Sequence, residues 1–226
     1  MAKRNQNQKP VLTVIYNILY THFGPQHWWP GDTPFEIAVG AILTQNTNWD
    51  NVEKAIGNLK KDGSLNAKIM HSMSSDRLAL LIKPAGYFNV KAKRLKHFLN
   101  FISNHYKGSM KMMKREDTHT LRERLLAVNG IGPETADSIL LYALEKPVFV
   151  IDAYTTRILQ RHKIISDKTA YRDLQQLFHD SLPSDVDLFN EYHALLVMLG
   201  KHYCKPEPKC SVCPLENVLQ ASRRRT

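Results

Sequence analysis

The stretch Leu125–Leu159 constrains this chain more than any other. It sets a Gly130-Ile131-Gly132 turn between two apolar-periodic segments, and the run Val148-Phe149-Val150-Ile151 then delivers Asp152 to the start of another helical pattern. Two glycines one residue apart permit positive φ and let successive N–H groups converge on an anion. Pro133 suits a first helical turn, where its missing N–H costs nothing and the positive end of the helix dipole faces outward. Such a hairpin grips nucleic-acid backbone without reading bases. The same residues also suit an ordinary helix–helix turn, so the motif alone leaves both readings open.

The whole stretch resembles the helix-hairpin-helix and Gly-Pro-Asp signature of the endonuclease III superfamily of DNA glycosylases. It runs Val128-Asn129-Gly130-Ile131-Gly132-Pro133-Glu134-Thr135-Ala136 and then Ile151-Asp152-Ala153-Tyr154-Thr155-Thr156-Arg157. The resemblance implies that Gly130, Gly132, Glu134 and Thr135 face the DNA backbone and that Asp152 is the catalytic carboxylate. Asn129 replaces the family's usual proline. Glu134 stands where bifunctional members carry the lysine that attacks the sugar, and a carboxylate forms no Schiff base. The departure points to a monofunctional enzyme that hydrolyses the base–sugar bond and leaves the abasic site uncut. Glu134 in a first helical turn also suits a plain dipole-stabilising role.

Charge agrees with a polyanionic partner. The 226 residues carry 31 Lys and Arg against 21 Asp and Glu, a formal net charge of +10 and a pI near 9.5, although a generally basic surface has the same balance. No apolar run is long enough to span a bilayer, and the polar, basic Met1–Pro10 lacks a signal-peptide core. A cytoplasmic, nucleoid-associated monomer with no membrane partner is the expectation.

In chain order, Val11, Leu12, Val14, Ile15, Ile18 and Leu19 have helical spacing, stopped by Gly24-Pro25. The pair Trp28-Trp29 before Pro30 either plugs a domain junction or stacks on an extruded base. By resemblance to the 3-methyladenine glycosylase branch it lines the base pocket, and the cationic alkylated purines suit aromatic faces. Asp32 or Thr33 caps a helix that ends in Leu43-Thr44-Gln45-Asn46-Thr47. This resembles the family segment whose glutamine fills the space left by the extruded base, which nominates Gln45, with Asn46 and Trp49 as neighbouring wedges.

Helices are predicted at Asn51–Lys61 and Ser75–Lys83. The Gly86-Tyr87-Phe88-Asn89-Val90-Lys91-Ala92 loop again resembles the family. There Gly86 gives a turn over packed aromatics, and Lys91, with Lys93, Arg94 and Lys96, either extends a phosphate track or forms a solvated face. Met110, Met112 and Met113 read as local packing in a linker. Further helices are predicted at Leu121–Val128, Tyr154–Arg161 and Thr169–Ser181, and an apolar stripe runs from Val186 to Leu199. Period-two segments are scarce, so the fold class is all-α. The family fold implies two helical domains with a DNA-binding cleft: residues 31–140 carrying the hairpin, and residues 1–30 plus 141–226 with a cysteine loop.

All three cysteines lie near the C-terminus as Cys204-x5-Cys210-x2-Cys213. The loop resembles the four-cysteine iron–sulfur loop of endonuclease III, but its first spacing is one residue short and Leu219 stands at the fourth ligand position. Cys204, Cys210 and Cys213 therefore suit a cluster with a non-cysteine ligand, a three-iron form, a relic, or zinc with His202. The partner implied is double-stranded DNA carrying a damaged base. The alternatives are a bifunctional endonuclease III-type lyase on oxidised pyrimidines, and a helix-hairpin-helix DNA-binding protein without catalysis.

Overall fold

The computed structural model describes residues 9–28 and 31–218. The described residues form helices α1 (Lys9–Phe23), α2 (Pro34–Leu43), α3 (Trp49–Lys61), α4 (Ala67–Ser72), α5 (Ser75–Leu81) and α6 (Phe88–Tyr106). They continue with α7 (Met110–Lys114), α8 (Thr118–Leu126), α9 (Pro133–Ser138), α10 (Ala153–Arg161), α11 (Tyr171–Ser181) and α12 (Val186–His202). No strand occurs among them, as the scarcity of period-two segments implies. The chain divides into two compact units, residues 29–146 and residues 1–28 with 147–226.

In the unit of residues 29–146, α2 is the central element. Thr33 caps it, its Oγ1 accepting from the Glu36 N–H at 3.2 Å, and Pro34 occupies the first turn. Seven of the ten residues of α2 are buried, so it must be covered on most sides, and α3, α6, α9 and the π turn Ile139–Ala143 cover it. The one carboxylate among the buried seven, Glu36, is paired with Lys60 at 2.7 Å, as a buried charge requires. Asn48, Asn66, Ser74, Ser109 and Asp117 each cap the following helix through a side-chain oxygen, which is why so many short helices hold their ends here. The methionine segment is itself a helix, α7, burying Met110 and Met113.

In the other unit, α1 packs on α11 and α12. Leu12, Ile15 and Leu19 are fully buried, each side chain contributing about 1.5–3 kcal/mol. The apolar run Val148–Ile151 is buried without regular secondary structure. Three of its backbone groups are met by side chains of α11: the Phe149 N–H donates to His179 Nε2 at 3.3 Å, the Ile151 N–H to the Tyr171 hydroxyl at 3.4 Å, and Gln175 Nε2 donates to the Phe149 carbonyl at 2.7 Å. Phe149 stacks on Phe178 with ring centroids 3.8 Å apart. This buried strap, tied to α11 by those bonds, fixes the place where α10 begins.

Candidate active site and nucleic-acid interface

The hairpin forms between α8 and α9. Val128 and Ile131 bury their side chains on either side of the turn, and the Ile131 N–H donates to the Val128 carbonyl at 3.0 Å. Gly130 takes φ +90°, a conformation that strains any L side chain. Gly132 is the extended N-cap of α9, with Pro133 next; it and Glu134 are exposed, whereas Thr135 is buried. Both exposed residues sit at the positive end of α9.

Gln45 follows α2 and lies against this hairpin. Its Nε2 donates to the Gly130 carbonyl at 3.0 Å and to Thr135 Oγ1 at 2.9 Å, and its Oε1 accepts from Arg94 Nη1. Three of the nominated residues, Gln45, Gly130 and Thr135, are thus one hydrogen-bonded group. Asn46 beside it is exposed with φ +54°.

Two nominations in the same unit change. Trp49 does not protrude as a wedge: its ring lies in the recess left by Gly40, 3.4 Å from where a Cβ there would stand, and its Nε1 donates to Glu53 at 2.8 Å. Lys91 does not extend a phosphate track. It is 1% exposed, and its Nζ donates to the Ala85 carbonyl at 2.6 Å, so burial, then the neighbouring Arg94 charge, pull its pKa down. The aromatics of this loop are also not all packed beneath it. Gly86 takes φ +69° and Tyr87 φ +45°, and Tyr87 is 72% exposed.

The other unit holds the carboxylate. Asp152 ends the buried strap as the N-cap of α10, its Oδ1 accepting from the Thr155 N–H at 2.7 Å. Across from it, His193 Nε2 stands 3.6 Å from Asp152 Oδ2, with side-chain exposures of 9% and 10%. Burial pushes the Asp152 carboxyl up, but the facing imidazole and the Thr155 N–H outweigh it and hold the group below its ordinary value. An ionised carboxylate in a nearly water-free position is the result. The His193 ring is tilted toward Trp28 at 6.4 Å between centroids, and Lys201 Nζ stands 5.8 Å from the Trp28 ring centre. Trp28 and Asp152 thus meet through His193, which sequence reading missed; Trp29 and Pro30 lie outside the described residues. The available signal was a polar ring set inside the apolar stripe of α12.

Arg157, five residues after Asp152, donates to the Cys204 carbonyl at 2.8 Å. Arg161 donates to Cys204 Sγ at 3.3 Å, to the Lys205 carbonyl at 2.5 Å and to the Pro206 carbonyl at 2.9 Å. Cys204 is buried and Cys210 exposed. Burial, then the neighbouring sulfurs Cys204 and Cys210, push the Cys213 thiol up. Among the described residues no group of three or more His, Cys, Asp or Glu side chains is placed to hold a metal ion, and the remaining residues contain none of those types. Among the described residues Cys204, Cys210 and Cys213 are thus not gathered into one metal-holding group, with or without His202.

A buried carboxylate at a helix cap and a glycine hairpin are the two features that the comparisons with known proteins bear on. The sequence signature of the HhH-GPD superfamily of base excision DNA repair proteins matches residues 39–184. MJ1434 of Methanocaldococcus jannaschii, assigned by name to the DNA repair glycosylases, is 45% identical over 212 residues, covering 93% of this chain and 96% of its own. Endonuclease III of Thermotoga maritima is 28% identical and covers 85% of each chain. Among solved structures, the H. pylori 3-methyladenine DNA glycosylase MagIII bound to 1,N6-ethenoadenine superposes with a TM-score of 0.73 at 30% identity, over 86% of this chain and 97% of that one. An endonuclease III–DNA complex shares the fold, with a TM-score of 0.79 at 17% identity over 100% and 99% of the two chains. The chain belongs to the HhH-GPD superfamily, as a base excision repair DNA glycosylase. Among the described residues no helix is long and apolar enough to cross a membrane.

Proposed function

We propose that this glycosylase is monofunctional and releases alkylated purines from double-stranded DNA. The observation that carries the reading is the buried, ionised Asp152 beside His193 and Trp28, in a chain whose hairpin bears Glu134 in place of an amine. A base must leave the stack before its glycosidic carbon is reachable. The hairpin at Gly130–Gly132 grips the backbone, and Gln45 and Asn46 fill the gap. Tyr87, held out at 72% exposure, offers a ring to the opened stack. Trp28 stacks on the extruded base. Asp152 stabilises the oxocarbenium-like sugar or activates the attacking water. An alkylpurine already carries positive charge as a leaving group, so the reaction needs little general acid, in keeping with a single carboxylate. The similarity to MagIII supports this substrate class.

The test is product analysis on labelled duplexes carrying 3-methyladenine, 7-methylguanine, 1,N6-ethenoadenine, thymine glycol or uracil, with and without alkali. Release of an alkylated purine, with strand breaks only after alkali, is the expected result. One observation favours a second reading: Lys201, 5.8 Å from the Trp28 ring centre, is an amine in the same unit as Asp152 and a candidate lyase nucleophile. Borohydride trapping of a covalent complex that Lys201→Met abolishes would establish that reading instead.

A further inference from the structure

Gln45 and the hairpin are two of the parts assigned to DNA in the unit of residues 29–146, and they do not meet by chance packing. The Gln45 amide makes three hydrogen bonds, and each specifies its orientation. Both Nε2 protons point at acceptors, the Gly130 carbonyl and Thr135 Oγ1, while Oε1 receives Arg94 Nη1. Turning the amide over would set oxygen against a carbonyl and NH2 against a guanidinium, so the arrangement has one solution.

Arg94 has a second relation to the same hairpin. A Cβ on Gly130 would stand 2.3 Å from Arg94 Cγ and 2.9 Å from Cδ, so the arginine stem lies across the bare face of the turn. Gly130 therefore meets two requirements, a positive φ and room for this stem. One turn further along α6, His97 Nδ1 approaches the Asn129 carbonyl at 3.1 Å, so α6 touches the hairpin on two successive turns.

We propose that Arg94 is a positioning residue, which locks Gln45 to the Gly130–Thr135 hairpin so that the backbone grip and the gap-filling side chain act as one body. The proposal rests on the glycosylase reading only in assigning these two parts to DNA. A cation that merely met a phosphate would not have its stem laid over a glycine and its guanidinium given to an uncharged amide.

The experiment is a double-substitution cycle of Arg94→Met and Gln45→Ala, with Arg94→Lys as the conservative variant. Methionine keeps an apolar stem over Gly130, which protects folding. Three readouts are taken: urea unfolding, affinity for undamaged duplex at several salt concentrations, and fluorescence of 2-aminopurine placed beside an abasic-site analogue, which rises on unstacking. Arg94→Met is expected to lower the lesion-dependent unstacking equilibrium by about ten-fold or more, the value of a charged hydrogen bond. The double variant should be no worse than Gln45→Ala. Affinity for undamaged duplex and its salt dependence should be alike in Arg94→Met and Arg94→Lys, and neither variant should regain the fluorescence rise.

Multiplicative effects of the two substitutions, or full recovery of both readouts by Arg94→Lys, would make Arg94 an independent phosphate cation and overturn the proposal. If the wild-type chain releases no base from any duplex, the glycosylase reading fails by itself. The cycle in urea still decides the lock, because non-additive unfolding free energies require no substrate.

Discussion

His193 Nε2 lies 3.6 Å from Asp152 Oδ2, each side chain about nine-tenths buried. The separation exceeds a formed hydrogen bond, so the ring faces the carboxylate without closing on it. Asp152→Asn removes the charge facing the developing sugar cation, and single-turnover base release should fall by about 10²–10⁴-fold. The acid limb tests the pairing. Burial pushes the Asp152 carboxyl up, and His193 with the Thr155 N–H holds it below its ordinary value. The carboxylate's contribution to stability is therefore present above its unfolded value and lost as pH falls through the lower folded one. In His193→Phe, burial stays and the main counterweight goes. The acid limb of the rate should move to higher pH, and an unmoved limb would show that His193 does not set the ionisation.

Lys91 provides a prediction about salt. A lysine that meets phosphate releases counterions, and its loss lowers the slope of log affinity against log salt by about one. Lys91 is buried on the Ala85 carbonyl, so Lys91→Met should leave that slope unchanged. Lys93, exposed two residues later, is the control whose removal can lower it. Burial, then Arg94, depress the Lys91 pKa, so the folded state gives up this proton before the unfolded chain does. Wild-type stability should then gain relative to Lys91→Met as pH rises from the depressed value toward the ordinary lysine value. Urea unfolding across alkaline pH measures that difference.

The hairpin and Asp152 were legible because their chemistry is local. Gly130, Gly132 and Pro133 declare a turn and a helix start within four positions, and Asp152 is a carboxylate at a helix cap after an apolar run. His193 was not, because nothing near it in sequence distinguishes a histidine facing a carboxylate from one filling an apolar stripe. Lys91 shows the same limit from the other side: its face of α6 is buried by the Lys83–Ala85 turn, a packing that charge patterning does not encode. Trp49 depended on Gly40, where a missing side chain makes the recess. The helices at Ala67–Ser72 and Met110–Lys114 were too short for periodicity to reveal and stand on their Asn66 and Ser109 caps.

Metal removal should change nothing that Arg161 does. The loop after α12 is held by Arg161 on Cys204 Sγ and the Lys205 and Pro206 carbonyls. The purified chain is expected to carry substoichiometric iron and zinc by elemental analysis, and chelators should leave its unfolding midpoint in place. Arg161→Met should lower stability by about 0.5–1.5 kcal/mol, since the exposed Lys205 and Pro206 carbonyls it leaves are met by water. Cys210→Ser, at an exposed thiol, should stay within about 0.5 kcal/mol. A chelator effect larger than that of Arg161→Met would reverse the assignment.

The two glycines of the hairpin should respond oppositely to alanine. Gly130 takes φ +90°, and a Cβ there would stand 2.3 Å from Arg94 Cγ. Gly130→Ala therefore strains the backbone and displaces the arginine stem, a loss of about 1–3 kcal/mol in urea. Gly132 has φ −91° and nothing within 4 Å of an added Cβ. Gly132→Ala should change stability by no more than about 0.5 kcal/mol, yet it places a methyl group on the exposed N-cap where a phosphate would approach. Its affinity for duplex should fall while its fold is untouched. The reverse order, a destabilised Gly132→Ala and a tolerated Gly130→Ala, would mean that the turn is held by something other than the φ of Gly130 and the stem of Arg94.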